Sequence, residues 1–170
     1  MFKKYVTIVG MLLVGSCCFA PYKSGFKIEQ PIRESTFIYV NTMYTYYSEA
    51  IGRTGVLEKF SDKVEEAVIY DLQQNVFPNR VLENADLYVT VEILKVHVDA
   101  MGKGEVDLKC ILSHPDETEI ISFQETGRSG MKFSITEASM AATKDAMEKV
   151  KMKINEHRQL ITNSLRGYNE

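Results

Sequence analysis

The first residue that could do chemistry is Cys17. It closes the run Val14-Gly15-Ser16-Cys17 behind a short apolar stretch. A cysteine in this setting looks like the attachment site of a bacterial lipoprotein signal, where it would receive a diacylglyceryl group and, after cleavage, become the first residue of the mature chain. Val14 supplies the aliphatic side chain three positions upstream. Gly15 and Ser16 are small enough for a peptidase that closes on the backbone. Cys18 fits less well, because Gly15 would then stand in the aliphatic position. Lys3 and Lys4 form a basic leader, and Val6 to Val14 form an apolar run too short for a spanning helix, which needs about 20 residues. Residues 1–16 therefore read as a lipoprotein signal peptide, outside the fold. Two other readings stay open: an ordinary secretory signal cut after Ala20, and an uncleaved anchor. One acyl chain holds a protein marginally and two or more hold it firmly, at ~0.8 kcal/mol per buried methylene.

The remaining reactive side chains do not assemble into a motif. His97, His114 and His157 stand at unrelated spacings, without a Cys, His or carboxylate at a metal-ligand interval. A catalytic base also needs a positioned partner, and none is legible. Gly102-Lys103-Gly104 lacks the following helix of a phosphate loop, and Gly127-Arg128-Ser129-Gly130 does not match a nucleophile elbow. Asp116, Glu117 and Glu119 read as a polar turn, and Met140, Met147 and Met152 as core filler. No catalytic residue, metal or cofactor is expected. Cys110 falls in an expected strand, where a free thiol behaves as a small hydrophobe.

The chain has 170 residues and a net charge of −3, which becomes −5 once Lys3 and Lys4 are removed. No basic patch stands out, so a nucleic-acid partner is not expected. The length after Cys17 suits one domain with a proper core.

The elements that must position any site follow in order. Residues 17–34 carry Pro21, Gly25 and Pro31 without a sustained apolar period, and read as a lipidated N-terminus and flexible linker able to reach about 50 Å. Ser35 to Asn41 is a strand by its aromatic and β-branched content. Thr42 to Gly55 reads as a loop, carrying Tyr44, Tyr46 and Tyr47 before Gly52 and Gly55. Tyrosines in loops offer a large rigid contact area and a hydroxyl, which suits partner binding; the other reading has them capping the open end of the core. Val56 to Asn75 is an amphipathic helix with Leu57, Phe60, Val64, Ala67, Val68 and Leu72 on one face. Ala85 to Asp99 alternates as a strand, and its apolar phase switches at Ile93-Leu94, which means either a β-bulge or the end of one strand and the start of another. Met101 to Gly104 is a hairpin turn, Glu105 to Ser113 a strand, and His114 to Thr118 a turn. Glu119 to Thr126 is a strand with Ile121 and Phe123 inward, and Gly127 to Gly130 a loop. Ser134 to Glu137 is a capping box that starts a helix running to about Leu165. Beyond Glu156 that helix would outrun the sheet, so Ile161 and Leu165 would need another partner. The order β-α-β-β-β-α predicts an α+β two-layer sandwich. Its four-stranded mixed sheet carries two helices on one face. The domain spans residues 35–166, and residues 167–170 are a frayed tail.

The run Phe37-Ile38-Tyr39-Val40, the helix after it, and then Ala85-Asp86-Leu87-Tyr88-Val89-Thr90-Val91-Glu92-Ile93 carry a family resemblance. The alanine-aspartate pair leading into an apolar strand resembles small envelope lipoproteins of the LptE (lipopolysaccharide-assembly lipoprotein) type. It is also similar to domains of the TolB amino-terminal kind, over about Phe37 to Leu165. The resemblance implies a non-enzymatic binding module. Outer-membrane members of the group help insert lipopolysaccharide by plugging and steadying a β-barrel partner. By the same resemblance Cys18, standing where aspartate would retain a lipoprotein at the inner membrane, implies the periplasmic side of the outer membrane in a cell that has one, and implies nothing in a single-membrane bacterium. The expectation is thus a lipid-anchored protein that binds an envelope protein through Tyr44, Tyr46 and Tyr47 and the free end of the last helix. The alternative is a small-molecule or glycan-binding lipoprotein that uses Tyr88, Thr90, Glu92, Lys109 and Ile111 on the helix-free sheet face.

Overall fold

The computed structural model describes residue 28, residues 30–48 and residues 58–168. Cys17, Cys18, Gly52 and Gly55 lie outside the described residues. The elements are β1 (Thr36–Ser48), α1 (Glu58–Asn75), β2 (Leu87–Val98), β3 (Lys103–Ser113), β4 (Glu119–Met131), α2 (Ile135–Glu156) and α3 (Arg158–Tyr168). The strands form one sheet in the order β1-β2-β3-β4. β1 and β2 are parallel, and the other pairs are antiparallel. This is the expected α+β sandwich, with the long final helix divided in two.

Strict alternation builds the core. Leu87, Val89, Val91 and Ile93 of β2 are fully buried, as are Val106, Leu108, Cys110 and Leu112 of β3. The phase switch in β2 is a true bulge: the register with β3 shifts between Ile93 and Lys95, and burial resumes at Val96 and Val98. Val64, Val68 and Leu72 of α1 and Ala142, Ala146, Val150 and Ile154 of α2 pack into the same cluster. Each large aliphatic side chain so buried contributes about 1.5–3 kcal/mol.

The resemblance-bearing pair Ala85-Asp86 has a physical role here. The Asp86 carboxylate accepts from the Ser35 hydroxyl at 2.6 Å and from the Ser35 amide at 3.2 Å. It thereby fixes the start of β1 against the start of β2, and with it the parallel register.

Four boundaries differ from the sequence reading. First, the linker expected to run to residue 34 is packed in its last part. Ile28 and Ile32 are 6 % and 2 % exposed, and the Ile32 amide donates to the Val76 carbonyl. Two buried isoleucines offset the entropy of ordering that strap. Second, β1 continues to Ser48, so Tyr44, Tyr46 and Tyr47 lie in a strand and not in a loop. Backbone pairing to β2 outweighs the turn signals further on, and a register shift lies between Thr42 and Thr45. Third, β4 runs through Gly127 to Gly130 to Met131. Gly127 is there because of packing: a Cβ on it would meet the Ala142 carbonyl oxygen at 2.0 Å and the Ala146 amide nitrogen at 2.3 Å.

Fourth, the last helix is interrupted at His157 (φ −97, ψ 12), and α3 carries Ile161 and Leu165 into the core. An irregular turn costs on the order of one net hydrogen bond, about 1 kcal/mol, and burying two aliphatic side chains outweighs it. The tail expected from residue 167 is in part helical: α3 includes Gly167 and Tyr168, and the Tyr168 ring stacks on His114 at 4.4 Å.

Candidate functional site

The sheet has two distinct ends. Twelve residues of β2 span about 40 Å between them. The N-terminal strap arrives at the end where β1 and β2 begin. The β2–β3 turn and the β4–α2 junction form the other end.

That far end is apolar. Met101 is 64 % exposed, Met131 65 %, and Phe133 fully exposed. The three are held together by backbone: the Lys132 amide donates to the Gly102 carbonyl at 2.9 Å. Gly102 has φ +75, and a Cβ on it would sit 2.3 Å from the Lys132 carbonyl oxygen, so only glycine allows this close crossing. Three large apolar side chains are thus left in water at one tip, a candidate contact surface. β1 finishes at the same end, with Tyr46 paired to Val96 and Tyr47 to His97. β1 is an edge strand, and its start is covered by the bridge between Thr36 and Arg80. The side chains of Tyr44, Tyr46 and Tyr47 lie outside the described residues.

The sequence reading joined these tyrosines to the free end of the last helix in one surface. The structure separates them. Ser164 of α3 lies 2.8 Å from His114 Nε2, beside the β3–β4 turn at the opposite end of the sheet. The apolar side chains of α3 are also not free, since Ile161 and Leu165 are buried.

The strap end is polar. A cleft of about 400 Å³ is lined by Gln30, Arg33, Glu34, Arg158, Thr162 and Arg166, among others. Arg158, Thr162 and Arg166 follow at spacings of four, so they share one face of α3. Ile161 and Leu165 occupy the buried face. Arg158 donates to Gln30 Oε1 across the cleft.

Among the described residues, buried titratable groups meet in two places. His114 and Ser164 make a base–hydroxyl contact, but His114 Nδ1 has no hydrogen-bond partner. A nucleophilic dyad needs a third group to orient the base. The nearby Asp116 carboxylate instead accepts from the Thr118 amide. Lys151 and Asp71 form a fully buried pair at 3.0 Å between α2 and α1. Burial pushes the Asp71 carboxyl up and the Lys151 ammonium down, each opposed by its partner. Asn75 donates to Asp71 Oδ1 at 2.6 Å. Burial also raises the Cys110 thiol to about 12, which keeps it inert. Among the described residues no group of three or more His, Cys, Asp or Glu side chains could hold a metal ion. No described helix is long and apolar enough to cross a membrane.

On the helix-free sheet face, Tyr88, Thr90, Glu92, Lys109 and Ile111 are all half-buried. Glu92 and Lys109 pair across strands at 3.5 Å, and Tyr88 packs on Phe37 at 5.4 Å between ring centres. Glu92, Lys109 and Tyr88 are thus engaged with neighbours on the same face. The polar cleft lies elsewhere.

The chain matches no family model and no curated protein sequence. Among solved structures it is similar to a Xanthomonas campestris protein described by the family model DUF330. The two are 15 % identical with a TM-score of 0.50, over 81 % of this chain and 90 % of that one. A Helicobacter pylori protein described as a neuraminyllactose-binding hemagglutinin homolog is 12 % identical, with a TM-score of 0.48, over 85 % and 97 % of the two chains. A PelC dodecamer from Paraburkholderia phytofirmans is 8 % identical, with a TM-score of 0.41, over 74 % and 91 %. The first likeness concerns the fold alone.

Proposed function

We propose that the chain is a non-catalytic binding module, tethered at Cys17 to the periplasmic side of an envelope membrane, that contacts a protein partner through its far end. The observation that carries this reading is the exposed tip of Met101, Met131 and Phe133, at the end of the sheet away from the N-terminal strap. A tether at one end and an apolar tip at the other suit a domain that reaches outward from a bilayer. Tyr44, Tyr46 and Tyr47 belong to the same end and extend the proposed surface along the edge strand. The Ala85-Asp86 resemblance to LptE-type lipoproteins supports a partner in envelope assembly, with a β-barrel protein as the class to test first.

Two measurements test the proposal. Palmitate labelling should mark the wild-type protein, and Cys17→Ser should lose the label and release the protein from membranes. The triple variant Met101→Ser, Met131→Ser, Phe133→Ser should keep its melting temperature and lose co-purification of the partner. Unchanged co-purification would remove the tip from the account.

A further inference from the structure

We infer that the cleft between the N-terminal strap and α3 is a binding site for a phosphate-bearing anion. The inference stands on the cleft's own geometry, apart from the partner surface at the far end.

Three guanidinium groups line the cleft, from Arg33, Arg158 and Arg166, against one carboxylate, Glu34. Among the described residues none of the three arginines takes part in an ion pair. Among the described residues the arginine and lysine ion pairs lie on the sheet, within α2, or between α1 and α2. Arg158 donates to the neutral Gln30 Oε1, so the lining keeps an excess of positive charge that no ion pair among the described residues neutralises. Guanidinium forks match phosphate oxygens two at a time, which lysine cannot do.

The frame is preorganised. Ile32 is buried and its amide is bound to Val76, and Asn79 Nδ2 donates to the Arg33 carbonyl at 2.6 Å. These contacts fix the strap that carries Arg33. On the other wall, Ile161 and Leu165 anchor α3, so Arg158, Thr162 and Arg166 stay turned to the cleft. Arg158 and Arg166 are about 12 Å apart along the helix, with the Thr162 hydroxyl between them. Both walls are thus ordered before a ligand arrives, which lowers the entropic cost of binding.

The anion could be a soluble phosphate ester or the headgroup of an anionic phospholipid. The residues between Cys17 and Gln30 reach about 45 Å at most, which keeps the cleft within range of a bilayer if Cys17 is the anchor.

The test uses the full chain carrying Cys17→Ser, so that its outcome does not depend on lipidation. Inorganic phosphate and glycerol phosphate are titrated while the arginine side-chain NMR signals are followed. Saturable shifts are expected at Arg33, Arg158 and Arg166. The variant Arg158→Gln/Arg166→Gln should weaken binding at least about tenfold with its melting temperature unchanged. In a second arm, phosphatidylcholine vesicles with and without phosphatidylglycerol are compared at matched phosphate concentration. Binding to the anionic vesicles that exceeds binding to glycerol phosphate, and that is lost in the variant, assigns the site to a lipid headgroup. Equal binding assigns it to soluble phosphate esters. No saturable shift with any of these probes, or shifts that persist in the variant, would overturn the inference.

Discussion

Lys151 of α2 and Asp71 of α1 meet with their charged groups 3.0 Å apart and neither side chain reached by solvent. The pair joins the two main helices beneath the surface, eighty residues apart in sequence. Burying two charges costs several kcal/mol per ion, so the attraction between them largely offsets what the fold has already spent. Taken alone, Asp71 favours folding below the ordinary carboxylate range and loses that advantage as pH rises through its raised value. Lys151 alone favours folding above 10.5 and loses it as pH falls through its lowered value. Replacing one member should therefore be far worse than replacing both. Asp71→Leu or Lys151→Met is expected to cost about 3–5 kcal/mol in urea unfolding. The double variant should recover most of that loss or exceed wild-type stability. A double variant as unstable as the sum of the singles would refute the coupling.

Gly127→Ala should destabilise by about 3 kcal/mol or more, because its Cβ would press on backbone atoms of α2 that cannot swing away. Gly130→Ala, with nothing within 4 Å of the new carbon, is the control and should be close to neutral. Thermal unfolding of the two variants side by side checks the contrast.

Glu105 lies between Lys95 at 2.7 Å and Arg128 at 3.0 Å, and their hydrogen bonds hold its carboxyl below the ordinary 4.5. A depressed carboxylate contributes stability above 4.5 that disappears as pH falls through the folded value. Glu105→Gln should flatten the acid limb of the stability profile. Denaturation midpoints measured between neutral pH and acid read this directly.

Cys110 should resist iodoacetamide in the folded protein and react once the protein unfolds, since it is fully buried and its thiol lies near 12. Peptide mass spectrometry after alkylation with and without urea distinguishes it from other thiols. Native-state labelling of Cys110 at the unfolded rate would contradict the core described above.

Much of this was legible in the chain because the strands alternate cleanly. The switch of phase at Ile93-Leu94 could mean a bulge, and it does. Ala142, Ala146, Val150 and Ile154 recur at helical spacing in the sequence, and they are the residues that α2 packs into the core. What misled was local chemistry read without its neighbours. Gly127 and Gly130 look like loop residues, yet Gly127 is a strand residue that makes room for a helix. Tyr46 and Tyr47 stand shortly before Gly52 and Gly55 in sequence, yet β2 extends far enough to pair with them. Asp71 and Lys151 each look like ordinary helix surface residues, and only the packing of α1 on α2 buries them together. Arg158, Thr162 and Arg166 did carry a signal, a spacing of four along a polar face, but its meaning depends on a strap more than a hundred residues earlier.

The account stands most directly on where the partner touches. A photo-crosslinking residue introduced at Phe133 in intact cells, with the same residue at Leu82 as a comparison, reads this in one experiment. Leu82 is 75 % exposed and lies in the segment leading into β2, at the strap end of the sheet. The account predicts a discrete protein adduct from position 133 that vanishes with Cys17→Ser, and none from position 82. An adduct from position 82 with none from position 133 would contradict it.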